Sequence, residues 1–347
     1  MVNINIIPHR LQFKKAAHTS RNTFRERMIY LLKLWDSEYP EIIGWGEAAP
    51  LEKLSIDDVS DYPDLLFKFC EEYKRTQNLD AMNLEGFPSI RFGLETAIND
   101  LALGGQKKIF NSEFFSGTSI LINGLVWMAD SKTMLEEALT KAEQGFDTIK
   151  FKVGALDFDE ECRMLEAFRK QHSGSVKTIR LDANCAFDPN EALEKLNELS
   201  RFEIHSIEQP IPTNNWDAVH ELQGKGAIDI ALDEELIGLD PFVDGQKLLE
   251  KTNAPYIILK PNLIGGFRVS DEWVKLCAKN NRAWWATSAL EGNVGLNAIA
   301  QWVSQYQNNL PQGLGTGSLY SNNFASPLVV DRGYLTYQKE QNWDTRL

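Results

Sequence analysis

Two lysines one residue apart, Lys150 and Lys152, three widely spaced acids, Asp182, Glu208 and Asp233, and a further lysine, Lys260, are the residues whose types and spacing could do chemistry. Each falls at the end of a short apolar or β-branched run: TIKFK, TIRLD, IHSIE, IALD and YIILK. The acids lie 26 and 25 residues apart, the interval of one strand plus one helix, so successive strands of a parallel sheet would bring all three carboxylates to one end. Carboxylates so gathered repel one another unless they share a cation, and an all-oxygen donor set suits magnesium. Side chains alternate along a strand, so Lys150 and Lys152 face the same way while Phe151 packs outward. Lys152 and Lys260 would then stand on opposite faces of a carbon whose attached carboxylate the metal holds. A lysine desolvated near a cation has a lowered pKa and can take a proton from that carbon. The product is a poor carbanion, and the metal and ammonium charges must stabilise it as an enediolate.

Each feature is weak alone. A Lys-x-Lys pair usually marks a solvated strand edge, and an Asp after a strand is commonly a turn or cap residue. Pro210, after Glu208-Gln209, also ends a strand simply by removing a ladder donor, which is compatible with ligation by Glu208. Trp284 and Trp285 read as packing residues on the two faces of one strand, and Cys185, a soft donor among hard oxygens, as a core residue. His18 lies in HTSRNTFRER, a loop that either covers the site or is a polar turn. The combination of charges, one set per strand end, is what turns six ambiguous residues into a candidate site.

The elements that must position them follow from periodicity. From Ile120 the chain alternates apolar runs with longer amphipathic stretches, giving eight strands: ILINGLVWM, TIKFKV, TIRLDAN, IHSIEQP, IDIALDEE, YIILKPN, AWWATSAL and QGLGTG. Eight strands imply a closed (β/α)7β barrel, whose active site lies at the C-terminal ends of the strands. SKTMLEEALTKAEQG should be a helix opening at a Ser cap, and PNEALEKLNELSRF one starting at Pro189. Residues 1–119 read as a separate α+β capping domain, 120–318 as the barrel, and 319–347 as a segment returning to the capping domain.

The formal charge of −13 disfavours nucleic acid and anionic lipid as partners. Cys70, Cys162, Cys185 and Cys277 form no C-x-x-C pair, and no run of about 18 apolar residues could span a bilayer. A cytoplasmic enzyme acting on a small-molecule carboxylate is the expectation.

The ordered set Lys150-x-Lys152, Asp182-x-Asn184, Glu208-Gln209-Pro210, Asp233-Glu234 and Lys260-Pro261 through Gly265-Gly266 resembles the muconate-lactonising subgroup of the enolase superfamily. Gly44-Trp45-Gly46-Glu47 and Phe92-Gly93-Leu94-Glu95 extend the resemblance into the first domain. It implies magnesium, with manganese as a substitute, held by Asp182, Glu208 and Asp233. It also implies Lys152 as the base that returns its proton to a leaving hydroxyl, Lys260 as electrostatic stabiliser, and Lys150 and Asn184 beside the substrate. Ala289 to Gly295 is similar to a strand-seven motif of the menaquinone-pathway branch, which dehydrates a cyclohexadiene carboxylate; there Ser288, Leu290, Glu291 and Gly292 would line the far end of the substrate. N-acylamino acid racemases and dipeptide epimerases of the subgroup use the same two lysines and remain open. Dipeptide epimerases carry Asp-x-Asp where this chain has Leu314-Gly315-Thr316-Gly317. The acid-sugar branch needs a histidine after strand seven, and His9, His18, His172, His205 and His220 all lie elsewhere.

Overall fold

The computed structural model describes residues 1–19, 22–172 and 178–344. An antiparallel meander comes first: β1 (Val2–His18), β2 (Thr23–Asp36) and β3 (Tyr39–Ala48). Helices α1 (Tyr62–Thr76) and α2 (Pro88–Ala102) pack on it, burying Leu66, Phe69, Ile90 and Leu94 against Leu32 and Leu34. Two glycines set the closeness of this contact. A Cβ on Gly46 would lie 2.0 Å from the Gly93 carbonyl, so β3 and α2 can touch only backbone to backbone.

The barrel strands are β5 (Gly124–Val126), β6 (Thr148–Lys152), β7 (Thr178–Asp182), β8 (Ile204–Glu208), β9 (Asp229–Leu232), β10 (Tyr256–Leu259) and β11 (Ala283–Ala286), in one parallel sheet. A two-residue strand, β4 (Ile120–Leu121), precedes them. The run ILINGLVWM is thus two short strands, not one: β4 pairs antiparallel with the chain's last hairpin and only β5 enters the barrel. The eighth staff is reduced to bridges, Gln312 to Ile122 on one side and Gly313 to Thr287 on the other, which close the sheet on itself. Its glycines offer no side chains to pack, so a longer ladder has little to hold it.

Helices α3 (Ser131–Glu143), α4 (Phe158–Gln171), α5 (Ala192–Leu199), α6 (Trp216–Lys225), α7 (Gln246–Thr252), α8 (Pro261–Ile264), α9 (Gly266–Lys279) and α10 (Asn293–Val303) surround the sheet. Two starts differ from the sequence expectation. Asp130, not Ser131, caps α3 by accepting from the Thr133 amide, and α5 begins at Ala192, three residues beyond Pro189. Ile149, Phe151, Leu181, Ile207, Ile230, Ile257 and Leu259 form a buried belt with the helices, the near-continuous apolar pattern of a sheet covered on both faces.

After the barrel, residues 320–322 run along β1, where Tyr320 bridges Phe13 and the Ser321 amide donates to the Gln12 carbonyl. The last hairpin, β12 (Leu328–Asp331) and β13 (Tyr334–Tyr337), joins β4 in a three-stranded sheet, with Tyr337 against Phe114 and Phe115. No helix among the described residues is long and apolar enough to cross a membrane.

Candidate active site

Parallel register places the charges. Lys152 pairs with Asp182, and Asp182 with Glu208, across β6, β7 and β8, so three strand ends deliver one lysine and two carboxylates side by side. Lys150 Nζ donates to Glu208 Oε2 at 2.6 Å and lies 2.9 Å from Asp182 Oδ2. Lys152 Nζ lies 2.6 Å from the same Asp182 oxygen and 2.7 Å from Asn184 Oδ1. On the far side Lys260 bonds Asp233 Oδ2 and stands 3.8 Å from Glu208 Oε1. Gln209 braces the turn between these ends: its Oε1 accepts from the Asp233 and Glu235 amides at 3.2 and 3.3 Å.

The cluster is buried, and charge is balanced locally. Burial pushes Glu208 up to about 8, with Asp182 adding repulsion. Burial would raise Asp182 too, but Lys150, Lys152 and Lys260 together hold it well below the usual carboxylate range. Burial depresses Lys150 and Lys260, and the carboxylates around them more than reverse it. Beneath this layer Arg180, itself buried, stacks 3.8 Å over Trp285 and donates to the Pro311 carbonyl at 2.6 Å.

Whether the cluster fits a divalent cation can be tested on its oxygens. Among the described residues no three acidic, His or Cys side chains form a ready-made metal cage, because each carboxylate is paired with an ammonium. Yet the donors are all hard oxygens on adjacent strands, and Glu208 Oε1 is buried without a hydrogen-bond partner. Repulsion from Asp182 and Asp233 helps hold the Glu208 carboxyl near 8, a strain that a divalent cation would relieve. The residues present therefore fit magnesium.

Above the cluster opens a cavity of about 770 Å³ lined by Lys150, Lys152, Asn184, Lys260, Ser288 and Leu290 among the residues singled out from sequence. Asp182, Glu208 and Asp233 lie below the lysines. Glu291 and Gly292 do not line the cavity: the Glu291 carboxylate sits behind the wall accepting from Ser288 Oγ at 2.6 Å, and the Gly292 amide donates to Glu47. Cys185 is only partly buried, not a core residue, because the left-handed turn at Asn184 and Cys185 carries it out of the strand. Trp284 packs against Trp302 and Tyr306 on the outer face while Trp285 lies inside over Arg180. His18 lies at the cavity rim with Thr19 and Asn22; Ser20 and Arg21 of that loop are outside the described residues.

Several lining residues were not legible beforehand. Glu234 accepts from Asn184 Nδ2 at 3.0 Å; its signal in the sequence is the Asp233-Glu234 pair. Asn123 comes from the link between β4 and β5, Thr287 and Thr316 from the ends of β11 and the eighth staff, and Leu51 to Leu54 from the capping domain.

The capping domain grips the barrel loops through buried polar groups. Arg27 donates to the carbonyls of Ala289 and Ala49, and Asn262, two residues beyond Lys260, donates to the same Ala49 carbonyl at 2.6 Å. Glu47 accepts from the Gly292 and Gly295 amides at 2.6 and 2.9 Å, capping α10. Glu95 accepts from the Phe267 amide, where Gly266, at φ 81°, leaves room that a Cβ 2.3 Å from Glu95 Oε2 would fill. Burial outweighs these donors and pushes both carboxyls up to about 7.

The folded protein thus binds those two protons more tightly than the unfolded chain, whose glutamates titrate near 4.5. Their stabilisation is full below that value and is lost as pH rises towards 7. Melting temperature is expected to fall between pH 5 and pH 8, and the fall to flatten in a Glu47→Gln, Glu95→Gln double variant; an unchanged slope in the variant would refute the assignment.

Comparison with known proteins agrees with this geometry. Residues 133–341 match the family described as enolase C-terminal domain-like. The o-succinylbenzoate synthase of Desulfotalea psychrophila (strain LSv54 / DSM 12343) is 46% identical over 250 residues, covering 72% of this chain and 68% of that protein. The crystal structure of MenC from Desulfotalea psychrophila LSv54 superposes with a TM-score of 0.82 at 35% identity, covering 96% of this chain and 99% of that one. A dipeptide epimerase from Enterococcus faecalis V583, complexed with Mg and the dipeptide L-Leu-L-Tyr, shares the fold at a TM-score of 0.78 and 17% identity, over 96% of each chain. With lysines and carboxylates at the barrel mouth and a family match over more than half its length, the chain belongs to the enolase superfamily.

Proposed function

We propose that this enzyme is an o-succinylbenzoate synthase, a hydro-lyase that converts 2-succinyl-6-hydroxy-2,4-cyclohexadiene-1-carboxylate to 2-succinylbenzoate and water. The observation that carries it is the pair Lys152 and Lys260, both lining the cavity from strands four apart with the acidic cluster between them. The 46% identical relative supplies the substrate.

Asp182, Glu208 and Asp233 would hold magnesium, with manganese as a substitute, and the bound ion would polarise the substrate carboxylate and offset the charge that develops on it. Lys150, between Asp182 and Glu208, orients that carboxylate. Lys152 takes the proton from the adjacent ring carbon, leaving an enediolate. Lys260, kept as an ammonium by Asp233 and Glu208, faces the growing negative charge. The proton on Lys152 then passes to the ring hydroxyl, the C–O bond breaks, water leaves, and the ring becomes aromatic. One proton taken and returned leaves the enzyme unchanged.

A racemase or epimerase could use the same lysines. Against a dipeptide substrate stands the cavity wall at Gly313 to Thr316, which offers no carboxylate to receive an amine. In this reading the enzyme acts on a small molecule in menaquinone biosynthesis in the cytoplasm, and its formal charge of −13 argues against nucleic acid or an anionic membrane surface as a partner.

Purified protein with the cyclohexadiene substrate and magnesium should give aromatic product, followed by its ultraviolet absorbance, and EDTA should stop it. Absence of turnover at any magnesium concentration would sink the proposal.

A further inference from the structure

Lys152 is fastened on two sides. Its Nζ donates to Asp182 Oδ2 at 2.6 Å and to Asn184 Oδ1 at 2.7 Å. A lysine nitrogen has four tetrahedral directions, of which one is the bond to Cε and two go to these acceptors. The direction that is left carries a proton in the ammonium and the lone pair in the amine. A base works only when that direction meets the hydrogen it takes. Lys152 ends on the cavity wall, so whatever fixes its two acceptors aims the base.

Asp182 is fixed by the sheet, since strand register sets it beside Lys152 on one side and Glu208 on the other. Asn184 is held differently. It lies beyond β7 in a left-handed turn at φ 45°, which asparagine tolerates better than most residues, and its amide donates to Asp182 Oδ1 at 3.1 Å. The turn sets where the side chain starts but not which way the carboxamide faces. A half-turn about its last bond would exchange oxygen for NH2 and set a donor against the Lys152 ammonium.

Glu234 makes that choice. Its Oε1 accepts from Asn184 Nδ2 at 3.0 Å. A carboxylate can only accept, so the NH2 must face Glu234 and the oxygen must face Lys152. Glu234 is well placed to impose this, because it opens the one-turn helix Glu234–Leu236 after β9, and Gln209 Oε1 braces that turn through the Asp233 and Glu235 amides. Only 6% of Glu234 and 9% of Asn184 are exposed, so little water competes for the contact.

We propose that Glu234 is a positioning residue that aims Lys152 through Asn184, so that the ends of β9, β7 and β6 act in series on the direction of one nitrogen. The inference rests on the reading above of Lys152 as the group that moves the proton. What the arrangement needs from Glu234 is an acceptor oxygen at that place. Its charge is not required.

The test is a double-mutant cycle on kcat at saturating magnesium. Glu234→Leu and Asn184→Gly should each lower kcat by about 10²-fold, the cost of misplacing a reacting group by about 1 Å, with KM changed less than about 3-fold. Leucine is close to glutamate in size and glycine keeps the left-handed turn, so the fold should survive both changes. The double variant should be no slower than Asn184→Gly alone, because Glu234 has nothing to orient once the carboxamide is gone. Glu234→Gln keeps the acceptor and should hold kcat within about 5-fold of wild type. Losses that multiply in the double variant, or a glutamine variant as slow as the leucine one, overturn the proposal. The Asn184 side-chain amide, identified in heteronuclear NMR spectra by its absence from Asn184→Gly, reads the same chain of contacts without turnover. Its signal should move in Glu234→Leu and in Lys152→Ala and stay near its place in Glu234→Gln; an unmoved signal in Glu234→Leu also overturns the proposal. Wild-type protein that shows the expected amide shifts but no dehydration removes the synthase reading and keeps the series of contacts, whereas dehydration with multiplying losses does the reverse.

Discussion

Lys152→Ala is expected to lower kcat by at least about 10³-fold, the upper range for loss of a positioned acid–base group, while the protein stays folded and still binds product. The side chain is proposed to act twice, taking the ring proton and giving it to the leaving hydroxyl, and no neighbour can take over. Lys150 is committed to Asp182 and Glu208 at 2.9 and 2.6 Å, and Lys260 belongs to the opposite wall. Removal of Lys152 leaves Asp182 still paired with Lys150, so no carboxylate is stranded and the fold should tolerate the change. Single-turnover measurement of aromatic product would check it, and a variant keeping more than a tenth of wild-type kcat would show that another group is the base. Lys260→Ala should differ in kind. It should slow turnover through loss of charge stabilisation, and it leaves Asp233 and Glu208 with fewer counter-charges, so stability should fall as well.

Glu208→Gln should raise the magnesium concentration needed for half-maximal activity by at least about 100-fold, with little change in the stability of the metal-free protein. Burial and the neighbouring acids push the Glu208 carboxyl up, so in the metal-free fold the cost of desolvation and repulsion offsets much of what its charge contributes beside Lys150. The amide avoids that cost and keeps an acceptor oxygen for Lys150. It cannot supply the charge a divalent cation needs, and the cation is what makes the enediolate accessible. Magnesium titration of activity and urea unfolding in EDTA measure the two effects separately. An unchanged magnesium requirement would remove Glu208 from the ligand set. A loss of several kcal/mol in EDTA would instead mean that the carboxylate stabilises Lys150 more than the buried cluster suggests.

The alternation of apolar runs with amphipathic stretches was enough to predict the barrel, and the six charged positions placed the candidate site at its mouth. Strand pairing in a parallel sheet is nearly local in sequence, one βα unit to the next, so spacings of 26 and 25 residues translate directly into adjacency of Asp182, Glu208 and Asp233. Alternation along β6 likewise put Lys150 and Lys152 on one face, whatever the helices did.

What only the tertiary structure decided has non-local causes. Glu47 and Arg27 belong to a meander 245 and 262 residues before the positions they hold, and no periodicity links them to Gly292 or Ala289. For that reason Glu291 and Gly292, well placed in sequence beside Ser288, turn out to serve the seam between domains rather than the cavity. Charge was no guide to other parts of the wall. Asn123 and Thr287 have no motif, because they reach the cavity only once the eighth staff has closed the sheet between Thr287 and Ile122. The sequence alone determined which residues carry charge and in what order the strands deliver them. Folding alone determined which of those charges neutralise one another and which uncharged side chains reach the cavity, since both depend on distances of a few ångströms between residues far apart in the chain.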